Sequence, residues 1–403
     1  MPKEQTMETF LTTIGLYVLP ALALFALLVF IHELGHYLAA RYHGVGVKTF
    51  AIGMGPRLGT LKRDQNGTQW KLAALPLGGY VELLGGPGDK DCADVEGKPL
   101  SAAGTGARIS ILAAGPIANI LLAGLLFMLF IATADIARSP SEIAAVEPGS
   151  PAAEAGLHQG DRILAVNGRD VRWMDQVLNE AFAGLDREIA LIVERDGRPI
   201  DVTLHPDRLT ANVLGRDTEA GYTGIQAAPR VPVRFTPAQM LAETADMFVS
   251  QTRMTVQAVK DVVTGHRGVE SLMSIVGITH VTGEMIQLGG LTALVYFAGT
   301  ISLALAVMNL LPLPVLDGGQ IVIAAGEKLV GRRVPEKAHT WMARICMGLL
   351  IALTVYLAHK DLTVIGLTAA GAGVAIALTI GSVVLMTPSW RAGLLTHLRP
   401  GQT

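Results

Sequence analysis

The sequence predicts a polytopic α-helical membrane protein with an inserted α+β module and a membrane-associated β-hairpin. Three observations carry that expectation. Half of the 403 residues are apolar and only 16% are charged, a balance too apolar for an ordinary soluble domain. The apolar residues gather in runs of about 17–27, the length that crosses a ~30 Å hydrocarbon core. Between two of these runs, residues 143–206 turn to short alternating segments of mixed composition. A formal net charge of −2, with no basic cluster interleaved with aromatics, points away from a nucleic-acid partner. With only Cys92 and Cys346 in the chain, neither a disulfide framework nor a cysteine-based structural zinc site is expected.

The first run, 14–40, is expected to be a retained span (residues 1–41), because no small-residue cleavage site precedes its histidines. It contains His32-Glu33-Leu34-Gly35-His36. On a helix His32 and His36 share a face, and Glu33 lies about 100° round from His32. This is the H-E-x-x-H pattern, in which two imidazoles bind zinc and the glutamate acts as general base. Short patterns also recur by chance. Here the context weighs on the chemical side, since one ionisable residue in a span costs roughly 2.5–3.5 kcal/mol.

Further runs cover 109–134, 291–311, 342–358 and 363–386. The last is rich in Gly and Ala, and its alternative is a packed re-entrant or interfacial helix. Residues 41–108 hold nine Lys/Arg, and 317–338 holds Lys328, Arg332, Arg333 and Lys337. The positive-inside rule therefore puts 41–108, 317–338 and the C-terminal tail in the cytoplasm, and 135–290 outside.

Within 42–108, segments 45–52 and 69–75 flank the turn Asp64-Gln65-Asn66-Gly67, with Gly53, Gly55, Gly78 and Gly79 nearby. They predict either a plain cytoplasmic hairpin or a sheet beside the histidine helix that pairs with an unwound strand. Residues 84–107 look like a mobile loop. In the outer segment, strands are expected at 143–146, 162–166, 188–194 and 200–204, with a helix at Trp173–Ala183. Residues 208–290 are expected to be a juxtamembrane segment. Leu241, Ala245, Phe248, Val256, Val259 and Val263 recur there at helical spacing, with Thr252 in the one gap. That stripe suits a helix on the outer membrane surface or one packed on the module. His280 and Glu284, four apart, are expected on a solvated face.

Two histidines leave a catalytic zinc one protein ligand short. The candidate is Asp317, in Asn309-Leu310-Leu311-Pro312-Leu313-Pro314-Val315-Leu316-Asp317-Gly318-Gly319. The first and third spans both descend toward the cytoplasm, so their ends can meet. The other reading of Asp317 is a helix N-cap or turn aspartate.

Val146-Glu147-Pro148-Gly149-Ser150-Pro151 through Gly168 resembles the PDZ domain of bacterial envelope proteases. That resemblance implies a PDZ domain at 140–207, in the periplasm, which takes extended peptides or C-termini; the alternative is a spacer or size filter. More broadly the chain resembles the site-2 protease family of intramembrane zinc metalloproteases, in its bacterial form, here with a single PDZ domain. The motifs are His32 to His36, Phe50-Ala51-Ile52-Gly53-Met54-Gly55-Pro56, Pro76-Leu77-Gly78-Gly79-Tyr80-Val81, Ala114-Gly115-Pro116-Ile117-Ala118-Asn119, and Asn309 to Gly319. The resemblance implies Zn2+ held by His32, His36 and Asp317, Glu33 as base, and Asn309, Gly53 and Gly55 in contact with substrate. It departs from the family at Met273-Ser274-Ile275-Val276-Gly277-Ile278, which lacks a Gly-Pro bend, and at Ala304, where some relatives carry Asn.

The function expected is zinc-dependent endoproteolysis of single-span proteins, anti-sigma-factor-like or remnant signal peptides, in a bacterial inner membrane. The active site would lie near the cytoplasmic face, with the C-terminal membrane region at 291–403. A catalytically silent PDZ scaffold is the rival, though a scaffold has no need of Glu33. A zinc transporter would spread ionisable residues through several spans, whereas here they cluster at one depth.

Overall fold

The computed structural model describes residues 14–85, 95–183, 187–213 and 216–365. The expected fifth run falls almost wholly outside these residues, as does Cys92. In chain order the helices longer than one turn among these residues are α1 (Leu19–Tyr42), α2 (Thr105–Thr133), α3 (Met174–Ala183), α4 (Pro237–Val263), α5 (Ile275–Asn309), α6 (Asp317–Val330) and α7 (Glu336–Ile365). Two compact units emerge, one made of Met1–Phe130 with Leu272–Thr403, the other of Ile131–Ser271.

Among the described residues, four helices are long and apolar enough to cross a membrane: Gly15–Tyr42, Thr105–Thr133, Ile275–Asn309 and Lys337–Thr363. α1 follows a π-helical turn, Ile14–Val18, and carries proline in its first turn, where the missing N–H costs no helical bond. The third span begins sixteen residues before the expected Leu291. Gly289 (φ −146°, ψ 16°) and Gly290 (φ 60°, ψ −146°) break the helix without ending it. The apolar pattern stops at these glycines, yet the backbone resumes as helix on both sides. Residues 275–290 thus belong to α5 and not to a juxtamembrane segment.

Helix ends leave N–H groups without partners. At the start of α5, Ser274 Oγ accepts from Val276 and Gly277 N–H. The fully buried Asp361 of α7 accepts in turn from Ser274 N–H at 2.8 Å and Ser274 Oγ at 2.7 Å. His280 and Glu284 are not on a solvated face. The His280 ring stacks on Tyr17 at 5.7 Å, and Tyr17 O–H donates to Glu284 at 3.1 Å. Polar groups of two helices satisfy one another, which a reading of either segment alone cannot reveal.

Strands β1 (Val47–Arg63) and β2 (Gln69–Leu83) are roughly twice as long as expected. They pair antiparallel at 57–63 with 69–73 and at 49–52 with 79–82. A further set, Thr49–Gln69, Phe50–Trp70, Ala51–Lys71 and Ile52–Leu72, rises together in number. The two strands therefore bend into four rungs, ordered 57–63, 69–73, 49–52, 79–83. β1 bends at Gly53, whose φ of 82° suits glycine. Phe50 stacks on Trp70 at 4.4 Å, and Tyr37 of α1 meets both edge-on, so the sheet packs against the histidine helix. Tyr37 O–H and Trp70 Nε1 also donate to Asp64 in the turn. Burial raises the Asp64 carboxyl's pKa, but the Thr68 N–H and these donors outweigh it and hold it below the usual carboxylate value.

Residues 95–104 are not a free loop. Lys98 N–H donates to Gly44, and Leu100 N–H to Leu84, which ties this stretch to the foot of the hairpin. The connection at 317–338 contains α6, anchored where Arg108 meets Glu327 at 3.1 Å.

In the second unit the expected strands appear as β3 (Ile143–Val146), β4 (Arg162–Val166), β5 (Ile189–Arg195) and β6 (Arg198–Leu204). A four-stranded sheet runs Arg169–Asp170, β4, β5, β6. Met174, Val177 and Ala181 of α3 pack with Ile163, Ile189, Leu191 and Val193 to form the core. Asp161 is buried beneath it and accepts from Arg195 at 2.6 and 2.8 Å and from the His158 N–H. The unit does not end at 207. A hairpin of β7 (Asp207–Val213) and β8 (Arg216–Tyr222) follows, and β9 (Ile225–Ala227) returns to pair with β3. The alternation in 207–222 is largely of polar and small residues, so hydrophobic periodicity does not mark it.

α4 packs on this unit through its charged face. Arg138 meets Glu243 at 2.7 Å, Arg187 meets Asp261 at 2.7 Å, and Arg253 meets Glu180 at 2.8 Å. Leu241, Val249, Val256 and Val263 are left exposed on the other side.

Candidate active site

α1 brings the two histidines to one side, and α2 comes close enough to frame them. Gly35 makes the approach possible, since a Cβ there would fall 2.8 Å from the Ala114 carbonyl carbon and 2.9 Å from Ala118 Cβ. Between those two alanines, a Cβ on Gly115 would lie 2.7 Å from His36 Cε1 and 2.8 Å from His32 Cε1. The imidazoles occupy the space that glycine leaves.

The two Nε2 atoms are 3.2 Å apart. Asp317 Oδ2 lies 3.2 Å from that of His32 and 3.4 Å from that of His36. Asp317 opens α6, after the proline-rich turn that closes α5. Its N-cap is Leu316, so Asp317 is not the N-cap aspartate. Gly318 and Gly319 fit against the carbonyls of Leu310 and Leu313, where any side chain would collide. Residues 281 positions apart in sequence are thereby joined. Among the described residues, His32, His36 and Asp317 form the one group of three or more His, Cys, Asp or Glu placed to hold a metal ion.

These atoms fit zinc. Ligands bound at about 2.0–2.1 Å in a tetrahedron are separated by about 3.3 Å, which matches all three separations. Asp317 Oδ2 is also buried without a hydrogen-bond partner, a costly arrangement unless a cation meets it. His36 Nδ1 lies 2.8 Å from the Ile111 carbonyl. A carbonyl only accepts, so Nδ1 carries the proton and leaves Nε2 with its lone pair toward the cluster.

Glu33 is buried at 8% exposure and faces the sheet. A Cβ on Gly79 would lie 3.4 Å from Glu33 Cγ and 2.8 Å from the Ala51 carbonyl. Gly53 and Gly55 sit in β1 beyond this crossing, and Asn309 ends α5 eight residues before Asp317. None of these three enters the His–His–Asp cluster. Gly115, Gly79 and Asn119 have no role in a reading of zinc motifs alone. The available signal was Asn119, a polar residue inside an apolar span, four after Gly115.

Residues 20–353 match the model of peptidase family M50. The chain belongs to that family. M50 peptidases are the site-2 protease family, so the zinc expectation and the metalloprotease expectation both stand. A relative from Rhizobium meliloti (strain 1021), provisionally named a zinc metalloprotease, is 32% identical over 86% of this chain and 96% of its own. One from Agrobacterium fabrum, named likewise, is also 32% identical, with the same coverage. A third, from Campylobacter jejuni, is 30% identical over 83% of this chain and 90% of its own. This M50 chain is a multi-pass membrane metalloprotease whose cofactor is zinc.

Proposed function

We propose that this M50 protease cleaves single-span membrane proteins within or beside their transmembrane segments, using His32, His36 and Asp317 to hold zinc and Glu33 as general base. The observation that carries this reading is the triangle of ligand atoms at 3.2–3.4 Å inside apolar helices. Zinc in this site would supply Lewis acidity to the scissile carbonyl and to the attacking water. Glu33, one position from His32, takes the proton from that water and delivers it to the leaving amine. Burial of the site excludes bulk water.

A transmembrane helix must unwind before its peptide bond is accessible, and its freed N–H and C=O groups then need partners. The 57–63 rung pairs on one side with 69–73, and it exposes Leu58 and Leu61. A substrate strand added to the sheet would satisfy those groups. Anti-sigma-factor-like proteins and remnant signal peptides are the substrate classes proposed.

The distribution of Lys and Arg supports an inner-membrane orientation with the active site toward the cytoplasm and 131–271 outside. In this reading residues 140–207 of that segment are a PDZ domain that binds peptide termini or holds back bulky substrates. The exposed apolar face of α4 then rests on the outer leaflet.

The test uses purified protein and a single-span model substrate. Glu33→Gln should retain zinc and lose cleavage, by at least the ~10²-fold that a positioned base contributes. Cleavage at the wild-type rate would sink the mechanism.

A further inference from the structure

Ile111, Gly115 and Asn119 are spaced four apart on α2, so they form one face. That face meets His32 and His36, themselves four apart on α1. Gly115 abuts both rings, and the Ile111 carbonyl takes the Nδ1 side of His36 at 2.8 Å. One turn the other way, the Asn119 side-chain amide lies 3.4 Å from His32 Nδ1. Asn119 is 1% exposed, and its own carbonyl accepts from the fully buried Ser302 of α5 at 2.9 Å. The Asn119 backbone is thus fixed by a third helix while its side chain reaches the ring.

The two ends of an amide differ in what they offer. His32 turns Nε2 to Asp317 and His36, so as a ligand it carries its proton on Nδ1 and needs an acceptor there. With Nδ2 toward the ring, two donors face each other and the buried Asn119 Oδ1 has no partner. Amide oxygen and nitrogen are placed by their hydrogen-bond network. With the amide turned by 180°, Oδ1 accepts the His32 Nδ1 proton.

We propose that Asn119 is a positioning residue for the metal centre: its Oδ1 accepts from His32 Nδ1–H, fixing the tautomer and orientation in which Nε2 binds zinc. The inference rests on the zinc assignment above and extends it to a residue that touches neither metal nor substrate. Each imidazole is then held from behind by α2, His36 by a backbone carbonyl and His32 by a side chain. Only the second can be altered by substitution.

The experiment compares full-length wild type, Asn119→Leu and Asn119→Asp in detergent. Zinc affinity is read by chelator competition, and the site is observed through the visible absorption of the cobalt-substituted protein. Asn119→Leu keeps the volume without an acceptor and should bind zinc about 10–100-fold more weakly, with an altered cobalt spectrum. Asn119→Asp keeps the acceptor and should stay within about threefold of wild type, a rescue that loss of packing would not give. Wild-type affinity and spectrum in Asn119→Leu would overturn the proposal. So would an equal loss in a folded Asn119→Asp, which decides the matter alone should Asn119→Leu fail to fold. A wild-type protein that binds no zinc would overturn both this inference and the zinc assignment. Normal zinc binding with an indifferent Asn119→Leu would overturn only this one.

Discussion

Gly115 and His36 occupy adjoining space so closely that a methyl group on the first would lie 2.7 Å from Cε1 of the second. The neighbour in question is a ring held at its other nitrogen by Ile111, so it cannot swing away freely. Gly115→Ala is therefore expected to displace both imidazoles and weaken zinc binding by at least about tenfold. Chelator competition on the purified variant checks this, and unchanged affinity would contradict the packing.

Gly79 offers the complementary case. A Cβ there meets the Ala51 carbonyl at 2.8 Å and Glu33 Cγ at 3.4 Å, and no zinc ligand. Gly79→Ala should leave zinc content unchanged while lowering kcat toward the ~10²-fold or greater loss of a misplaced base. Metal analysis beside single-turnover cleavage separates the two effects.

Removing zinc should abolish cleavage and also loosen the fold if the ion is held, as proposed, by His32 and His36 of α1 and Asp317 of α6. At a free zinc concentration 100 times Kd, binding stabilises the native state by about 2.7 kcal/mol. A chelator should lower the thermal midpoint of wild type, with little effect on Asp317→Ala. An equal shift in both would argue against Asp317 as a ligand.

Asp161 gives a pH dependence away from the membrane spans. Burial raises the pKa of its carboxyl, but Arg195 and the His158 N–H outweigh this and hold it below the ordinary value. A carboxyl depressed in the folded state contributes stability above its unfolded pKa of about 3.9 and loses it as pH falls through the lower folded value. Hydrogen-exchange protection at 143–204 in the full-length protein, relative to the intrinsic amide rate at each pH, should thus fall below about pH 4. Asp161→Asn should destabilise this unit, because it removes the acceptor of two Arg195 hydrogen bonds and of the His158 N–H. It should also remove the acid dependence.

Gly290 has open space around its α-carbon, so only its backbone restricts substitution. Its φ of 60° and ψ of −146° lie in a region essentially reserved for glycine. Gly290→Ala should cost about 1–3 kcal/mol, read as a lower midpoint in thermal unfolding. A neutral substitution would show that α5 can straighten at little cost.

Much of this site is legible in the linear chain because its chemistry is compact. Two histidines and a glutamate within five residues declare a zinc helix, and apolar length declares the spans. Asp317 was reachable only through topology, since its local surroundings also suit a turn. What sequence hides is cross-helix satisfaction. His280 and Glu284 look polar and solvated until Tyr17 is beside them, and Asn119 looks like a stray amide until His32 turns Nδ1 toward it. α4 shows the same limit in reverse: its apolar stripe was legible, but three ion pairs turn the other face inward. The β7–β8 hairpin and the four-rung sheet escaped because bends and polar strands leave no clear alternation.

The contact between Ser274 and Asp361 has a bearing on biosynthesis. The start of α5 is secured by a carboxylate 87 residues downstream, near the close of the last described span. A ribosome that has delivered α5 has not yet made the residue that anchors its first turn. Ser302, which steadies Asn119, and Asn309 both lie on that helix. Nascent chains stopped before residue 361 would therefore carry the histidine motif and Asp317 while α5 lacks this tether.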